Sequence, residues 1–120
     1  MFDCATRMAM IREDVELAGL KNVSVEKLDT LLVDFCRTRH VSTVIRGVRV
    51  YSDFEYEFQM ALINHKLNPG LDTMFLTTEH QFMYLSSSAV KELARYDADV
   101  SDFLPAAIIP DFKARMMEQI

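Results

Sequence analysis

Apolar residues recur along the chain with two different spacings, which predict helices that alternate with strands. Spacings of three and four residues are typical of amphipathic helices and occur at about residues 3–18, 29–36, 53–68, 88–95 and 110–118. Short β-branched or continuously apolar runs predict strands at residues 22–28, 41–45 and 73–77. The last two runs are typical of strands covered on both faces. The expected order is α-β-α-β-α-β-α-α, which favours an α/β fold around a parallel sheet.

Residues that start and stop helices support these boundaries. Gly19 follows the first helix as a C-terminal stop, and Asp29 or Thr30 is suited to cap the second helix. Ser52 and Glu55 have the spacing of a capping box at the start of the third helix. That helix should end before Pro69-Gly70 and bury an apolar stripe, made of Phe54, Phe58, Ala61 and Leu62.

Three strands make a thin sheet for this architecture. The chain begins with a predicted helix and has no strand before it. An open sheet edge is a hazard, because unpaired backbone groups invite pairing with other chains. In such parallel sheets, ligands bind beyond the carboxyl ends of the strands, so the segments after residues 45 and 77 are the first places to look for a site.

Composition limits the chain to one soluble domain, covering residues 1–120. Half of the 120 residues are hydrophobic and 26% are charged, a balance typical of a globular chain with a core. The net charge is -5 and the pI is about 5.1. This overall negative field weighs against general binding of nucleic acid or anionic membranes.

The sequence shows neither a membrane span nor a secretion signal. No stretch approaches the length of a membrane span, and the first residues, MFDC, lack the basic and apolar segments of a signal peptide. We therefore expect a cytoplasmic protein. In that compartment Cys4 and Cys36 are expected to be reduced thiols rather than a disulfide.

The segment RGVR, residues 46–49, follows the second predicted strand directly. Gly47 would allow a tight turn and a close approach of a ligand to the backbone. Arg46 and Arg49 supply charged, forked donors that suit phosphate oxygens. The alternative is a solvated turn with surface arginines, and the short spacing alone does not decide between the two.

Three consecutive serines follow the third predicted strand. Ser86, Ser87 and Ser88 open a helix, and hydroxyls beside free backbone amides bind phosphate without net charge. The alternative is helix capping, for which serine is a preferred residue. One serine suffices for a cap, so three in a row modestly favour binding.

Other kinds of site have little support. There is no CxxC, HxxxH or HExxH motif for zinc, and no GxSxG elbow for a hydrolase triad. His40, His65 and His80 fall on separate elements, and Glu57 by itself would be a solvated carboxylate. The eight Met residues are interpreted as adaptable core filler.

A longer match supports the phosphate-binding interpretation. Residues 46–61, RGVRVYSDFEYEFQMA, resemble the signature RGLRxxxDFEYExQxA of bacterial phosphopantetheine adenylyltransferase. The resemblance extends in order over essentially the whole chain. It includes LLVDF at 31–35, Asn64, MFL at 74–76, LSSSAVKE at 85–92, AR at 94–95 and DVSDFLP at 99–105.

This resemblance implies a Rossmann-like nucleotidyltransferase fold, a magnesium-dependent reaction and a cytoplasmic homohexamer. The family transfers AMP from ATP to 4'-phosphopantetheine, which gives dephospho-coenzyme A and pyrophosphate. The pantetheine-side contacts of the family fall here on Leu32 and Arg46. Its ATP contacts fall on Gly47, Val48, Arg49, Glu57, Phe82, Met83, Tyr84, Leu85, Ser86, Ser87 and Ser88.

The N-terminal third of the family pattern has no counterpart in these 120 residues. That part of the family carries the first, central strand, a glycine-bearing turn, a TxGH motif and a substrate-binding lysine. No TxGH occurs in the chain, so we expect a fold truncated at the N-terminus, with three strands remaining. A misplaced start, a shortened gene and a partial chain are equally compatible with this expectation.

Nucleotidyl transfer depends mainly on positioning and electrostatic stabilisation. Without the TxGH histidine, the sequence as written is expected to be inactive or nearly so. Two other functions stay open. One is a non-catalytic remnant that binds ATP or coenzyme A or joins intact subunits. The other is a structural module that self-associates through its sheet edge and binds no nucleotide.

Overall fold

The computed structural model describes residues 1–118 and confirms an α/β chain that contains parallel strands. Five helices and two strands follow one another in the order α1, α2, β1, α3, β2, α4, α5. The helices are α1 (Cys4–Leu17), α2 (Leu32–Thr38), α3 (Tyr51–Leu67), α4 (Ser87–Arg95) and α5 (Ile109–Met117). The strands are β1 (Thr43–Val48) and β2 (Asp72–Thr77).

The chain divides into two compact units. The first unit consists of Met1–Lys27 together with the chain from Leu85 onward, and the second is Leu28–Tyr84. The second unit contains both strands, and α3 connects them. No helix of residues 1–118 is long and apolar enough to span a membrane.

The sheet has two strands in the described part of the chain, rather than the three that the pattern predicted. Strands β1 and β2 are parallel, with Arg46 opposite Phe75 and Gly47 opposite Leu76. The predicted strand at 22–28 is wrong, because no described segment pairs with it. Its Val25 carbonyl instead accepts a hydrogen bond from Arg12 Nη2, at 3.2 Å. Alternating valines favour an extended backbone, but a strand also needs a partner.

The predicted turn at residues 46–49 is also wrong in its position. Strand β1 continues through Arg46 and Gly47 to Val48, and all three residues pair with β2. The turn falls immediately afterwards, and α3 begins at Tyr51 rather than near Asp53. The predicted capping box does not form, since Ser52 already lies inside the helix and no side chain caps its N-terminus. The ladder with β2 therefore extends the strand past the glycine.

In the second unit, α2 and the start of β2 form a small apolar core. Val33, Cys36 and Leu71 are buried, and Leu32 and Val44 pack against them. Helix α2 begins at Leu32 without the predicted side-chain cap. The prediction that both strands are covered on both faces is wrong for the described residues. Their exposed apolar side chains include Ile45, Met74 and Leu76.

The inward face of α3 is more polar than the sequence pattern predicted. Phe54, Phe58 and Leu62 of the predicted buried stripe are exposed, although Phe54 stacks on Phe58 with ring centroids 5.6 Å apart. The less exposed positions of the helix are Asp53, Glu57, Met60, Ala61 and Asn64. Their spacing of four, three, one and three residues also follows one helix face. This polar stripe determines which side chains meet the end of β1.

The first unit has its core between α4 and α5. Val90, Val100, Phe112 and Met116 are buried together. Helix α1 begins after Asp3, whose side chain accepts a hydrogen bond from Thr6 N at 2.7 Å. As predicted, the helix ends just before Gly19, which has a positive φ of 67°. Helix α5 begins as predicted beside Pro110.

Asp97 follows the end of α4 with a φ of 56°, a conformation that glycine adopts more easily than other residues. We expect Asp97→Gly to raise the free energy of unfolding by about 0.5 kcal/mol, as measured by urea denaturation. The neighbouring variant Ala98→Gly is the control. It should lower the free energy of unfolding, because its backbone φ is not positive. A less stable Asp97→Gly protein would contradict this account of the helix end.

Candidate functional site

Two arginines at the end of β1 pair with two carboxylates on α3. The carboxylates belong to Asp53 and Glu57, which lie four residues apart and therefore on one helix face. Arg46 Nε donates to Glu57 Oε2 at 2.7 Å, and Arg46 Nη2 donates to Glu57 Oε1 at 2.6 Å. This is a bidentate pair, the strongest form of arginine–carboxylate contact.

Arg49 makes a similar contact one turn earlier along α3. Its Nε donates to Asp53 Oδ2 at 2.9 Å, and its Nη2 donates to Asp53 Oδ1 at 3.3 Å. The same Oδ2 also accepts from the backbone N–H of Arg49, at 3.2 Å. Asp53 therefore fixes both the side chain and the backbone of Arg49 at the point where the chain leaves the sheet.

Both carboxylates are held in their charged form. The hydrogen bond from Arg46 lowers the pKa of Glu57 below its ordinary value, and the same bond raises the pKa of Arg46. The hydrogen bond from the Arg49 side chain lowers the pKa of Asp53. The charges of each pair cancel, so an anion reaching this site would be recognised by oriented N–H donors rather than by an excess of positive charge.

The Arg46–Glu57 pair forms one side of a pocket of about 120 Å³. Leu32, Arg46 and Glu57 all line this pocket, so the structure brings together three of the residues selected from the sequence. The expectation that Glu57, taken alone, is a solvated carboxylate is wrong, because its side chain is only 14% exposed. Six residues that were not predicted as site residues also line the pocket, namely Val44, Tyr56, Met60, Ala61, Asn64 and Thr73.

Asn64 is the most informative of these additions. It is 8% exposed and lines the pocket, and no side-chain nitrogen or oxygen in the part of the chain that the structure describes is buried without a hydrogen-bond partner. An amide in a pocket wall can donate and accept hydrogen bonds, so it is suited to contact a ligand. Two features of the sequence point to it: the family resemblance includes Asn64, and its position seven residues after Glu57 puts both residues on one face of α3.

The two residues between the arginines contribute differently. Gly47 lies in the strand, and a Cβ placed there would meet nothing within 4 Å. A ligand can therefore approach this stretch of backbone closely, although the glycine makes no turn. Val48 is 7% exposed, and its carbonyl accepts a hydrogen bond from Thr78 N at 3.1 Å. Its side chain is therefore turned into the protein, away from solvent.

Residues 82–88, which the family resemblance implies as ATP contacts, are divided between the two compact units. In the second unit, Phe82 ends a short 3-10 turn (His80–Phe82), Met83 is half-buried and Tyr84 is 82% exposed. In the first unit, Leu85 packs against the core. It stays a prediction that one triphosphate contacts both segments, 46–49 and 82–88.

The serines of this segment divide into one cap and two free positions. Ser86 caps α4, as its Oγ accepts a hydrogen bond from Ala89 N at 3.2 Å. Ser87 and Ser88 are exposed in the first turn of that helix. The capping interpretation is therefore confirmed for the first serine. The other two hydroxyls are accessible to a ligand.

Metal binding has no preformed site in residues 1–118. No three His, Cys, Asp or Glu side chains among them are grouped in a way that would hold a metal ion. The two carboxylates nearest the pocket are already paired with arginines. The side chains described here therefore do not fit a protein-held magnesium ion.

Comparison with known proteins supports the family resemblance. The cytidylyltransferase-like family matches residues 1–93. The chain is 44% identical over 119 residues to the phosphopantetheine adenylyltransferase of Heliobacterium modesticaldum, an alignment that covers 99% of this chain and 67% of that protein.

Two further relatives have the same printed function. The phosphopantetheine adenylyltransferase of Staphylococcus haemolyticus is 47% identical over 104 residues, which cover 87% of this chain and 63% of the relative. That of Frankia alni is 42% identical over 120 residues, which cover 98% of this chain and 74% of the relative. The chain spans about two thirds of the length of the curated relatives it matches. It belongs to the phosphopantetheine adenylyltransferase family of cytidylyltransferase-like proteins.

Proposed function

We propose that this protein acts in the transfer of AMP from ATP to 4'-phosphopantetheine, the penultimate step of coenzyme A synthesis. A phosphate oxygen of 4'-phosphopantetheine attacks the α-phosphorus of ATP. The bond from that phosphorus to the α,β-bridging oxygen breaks, and pyrophosphate leaves with the electron pair. The observation that carries the proposal is the pocket beside β1, where Leu32 and the oriented Arg46 lie together in a chain of this family.

The pocket suits 4'-phosphopantetheine in its chemistry. Arg46 is 48% exposed, so its guanidinium can bind the phosphate while it remains paired with Glu57. Leu32 offers an apolar contact to the pantetheine arm. The amide of Asn64 can exchange hydrogen bonds with the amide groups of that arm.

ATP is proposed to bind along the chain after β1. Arg49 supplies forked donors to the phosphates, and the open backbone at Gly47 allows close approach. Ser87 and Ser88, which the family resemblance implies as ATP contacts, carry hydroxyls that can bind phosphate oxygens. Magnesium would enter bound to the triphosphate oxygens, in keeping with its preference for phosphate and water ligands.

A second candidate function applies to the 120-residue chain taken by itself. This candidate binds ATP or coenzyme A without turning the substrates over. In both cases the protein is proposed to be cytoplasmic and to form a homo-oligomer, a hexamer as the family resemblance implies. Exposed apolar side chains such as Ile45 and Met74 support association.

The first experiment measures binding and turnover separately with the purified chain. Isothermal titration calorimetry should detect both ATP and 4'-phosphopantetheine. For the 120-residue chain by itself, formation of dephospho-coenzyme A should be at least about 100-fold slower than for the relative from Heliobacterium modesticaldum, since the family resemblance implies that a TxGH histidine, which these residues do not contain, stabilises the transferring phosphate. A rate equal to that relative's would exclude the binding-only candidate, whereas binding of neither ligand would reject the proposed function.

Arg49→Ala is expected to weaken ATP binding about tenfold, because one charge-assisted contact is lost. The circular dichroism spectrum should be unchanged, since Arg49 lies at the end of the strand rather than in the core. Arg37→Ala is the matched control, as Arg37 also pairs with an aspartate, Asp34, at 2.8 Å but lies outside the pocket. Equal ATP affinity in folded Arg49→Ala and Arg37→Ala proteins would remove Arg49 from the ATP site.

Asn64→Leu is expected to separate stability from binding. The free energy of unfolding should stay about equal, because an apolar side chain of similar size replaces the amide in the pocket wall. The affinity for 4'-phosphopantetheine should fall about tenfold, while that for ATP stays the same. Asn22→Leu, at an exposed position outside the pocket, controls for the substitution itself. Undiminished 4'-phosphopantetheine binding by Asn64→Leu would show that the amide does not contact this substrate.

A further inference from the structure

We infer that α3 pairs with the same helix of a second copy of this chain, antiparallel and across a twofold axis. The contact surface is a row of exposed apolar side chains, called here the outer stripe, which consists of Tyr51, Phe54, Phe58 and Leu62. The inference rests on the homo-oligomer included in the proposed function, and it adds the surface through which two copies associate.

The outer stripe follows one side of the helix. Its four members are separated by three, four and four residues, which is the spacing of one helix face. All four side chains are exposed, by fractions between 38% and 79%. The α3 residues that line the pocket lie on the other side of the helix. Association through the stripe therefore leaves the candidate binding site open.

Aromatic contacts hold part of the stripe in a fixed arrangement. Phe54 stacks on Phe58 with ring centroids 5.6 Å apart. Phe54 also contacts Phe75 of β2, with centroids 5.4 Å apart and ring planes inclined by 69°. Side chains that are already ordered lose little conformational freedom on association. Apolar side chains that are exposed side by side mark an interaction surface, in contrast to scattered ones.

The charges beside the stripe favour a second copy as the partner. Glu55 lies towards the N-terminal end of the stripe and Lys66 beyond its C-terminal end. Both are exposed, and neither forms an ion pair with another residue among 1–118. A partner that carried one sign of charge would match only one of these two ends. An antiparallel copy of the same helix matches both.

The register of the stripe is also self-complementary. Phe58 and Leu62 lie symmetrically about the level of Met60, and Glu55 and Lys66 do so to within one residue. Around a twofold axis at this level, Phe58 meets Leu62 of the partner subunit. Glu55 then meets Lys66 of the partner subunit. A twofold interface requires this kind of surface, in which each residue and its counterpart exchange places. The antiparallel direction also brings opposite ends of the two helix dipoles together.

The first test measures the molar mass of the 120-residue chain by size-exclusion chromatography with light scattering, over a range of concentrations. The wild-type mass should be an even multiple of 13.8 kDa, because every copy pairs with one other. Phe58→Glu should halve that mass, since it places a carboxylate in the middle of the apolar contact. The dissociation constant of this contact should rise at least about 100-fold.

Two charge reversals test the antiparallel register without changing the apolar side chains. Glu55→Lys and Lys66→Glu each place like charges opposite one another, and each should raise the dissociation constant about tenfold. The double variant restores opposite charges at both ends and should associate as the wild type does. Both positions are exposed, so this comparison decides even where Phe58→Glu fails to fold. A double variant that associates more weakly than either single variant would overturn the antiparallel pairing.

Leu17→Glu is the matched control, because Leu17 is another apolar helix residue, 71% exposed, and it lies outside the stripe. It should keep the wild-type mass, and circular dichroism checks the folding of every variant. An unchanged mass for folded Phe58→Glu would overturn the inference. A mass halved by Met74→Glu instead would assign the twofold contact to the exposed sheet face and overturn it equally.

Calorimetry with ATP and 4'-phosphopantetheine separates this inference from the proposed reaction. A wild-type chain that binds both ligands as a monomer would overturn the outer stripe as an interface and leave the reaction in place. A chain that binds neither ligand, but whose mass is halved by Phe58→Glu, would support the interface and reject the reaction.

Discussion

The pairing of arginines at the end of β1 with carboxylates on α3 is the interaction on which the pocket depends. Without partners, Arg46 in the second half of β1 and Arg49 just after the strand would be two long and mobile cations facing solvent. Asp53 and Glu57 lie one helical turn apart and receive both of them. The helix is held against the sheet edge by these contacts as well as by apolar packing. The candidate site therefore forms from the same bonds that fix α3.

This arrangement explains why the less exposed face of α3 is polar. A purely apolar helix face would cover the sheet more effectively, but it could not orient guanidinium groups at the strand end. Phe54, Phe58 and Leu62 remain exposed as a result, on a helix whose apolar residues do not share one side. The other face carries Asp53, Glu57 and Asn64, which all adjoin the pocket or its neighbouring arginine. In this helix, the residues that form the candidate site and the larger apolar side chains Phe54, Phe58 and Leu62 lie on different faces.

Local signals in the sequence predicted those parts of the fold that local interactions determine. The stop at Gly19, the cap at Ser86 and the start of α5 beside Pro110 depend on the backbone preferences of one or a few residues. The predicted strand at 22–28 failed because a strand exists only with a partner, and the length of β1 was misjudged because β2 extends it. Pairing of this kind joins residues far apart in sequence, which no local pattern reveals.

The candidate site was predictable to a similar degree. The RGVR motif and the order of elements identified Arg46 and Arg49, since the ends of parallel strands are favoured positions for a ligand. The burial of Glu57 and the place of the Asn64 amide in the pocket wall required the structure, because both follow from the side of α3 that meets β1. A net charge of -5 weighs against general binding of nucleic acid or anionic membranes, but it does not exclude a local phosphate site. Specific recognition needs only a few oriented donors, and carboxylates that fix arginines in place contribute to the negative total while improving that local geometry.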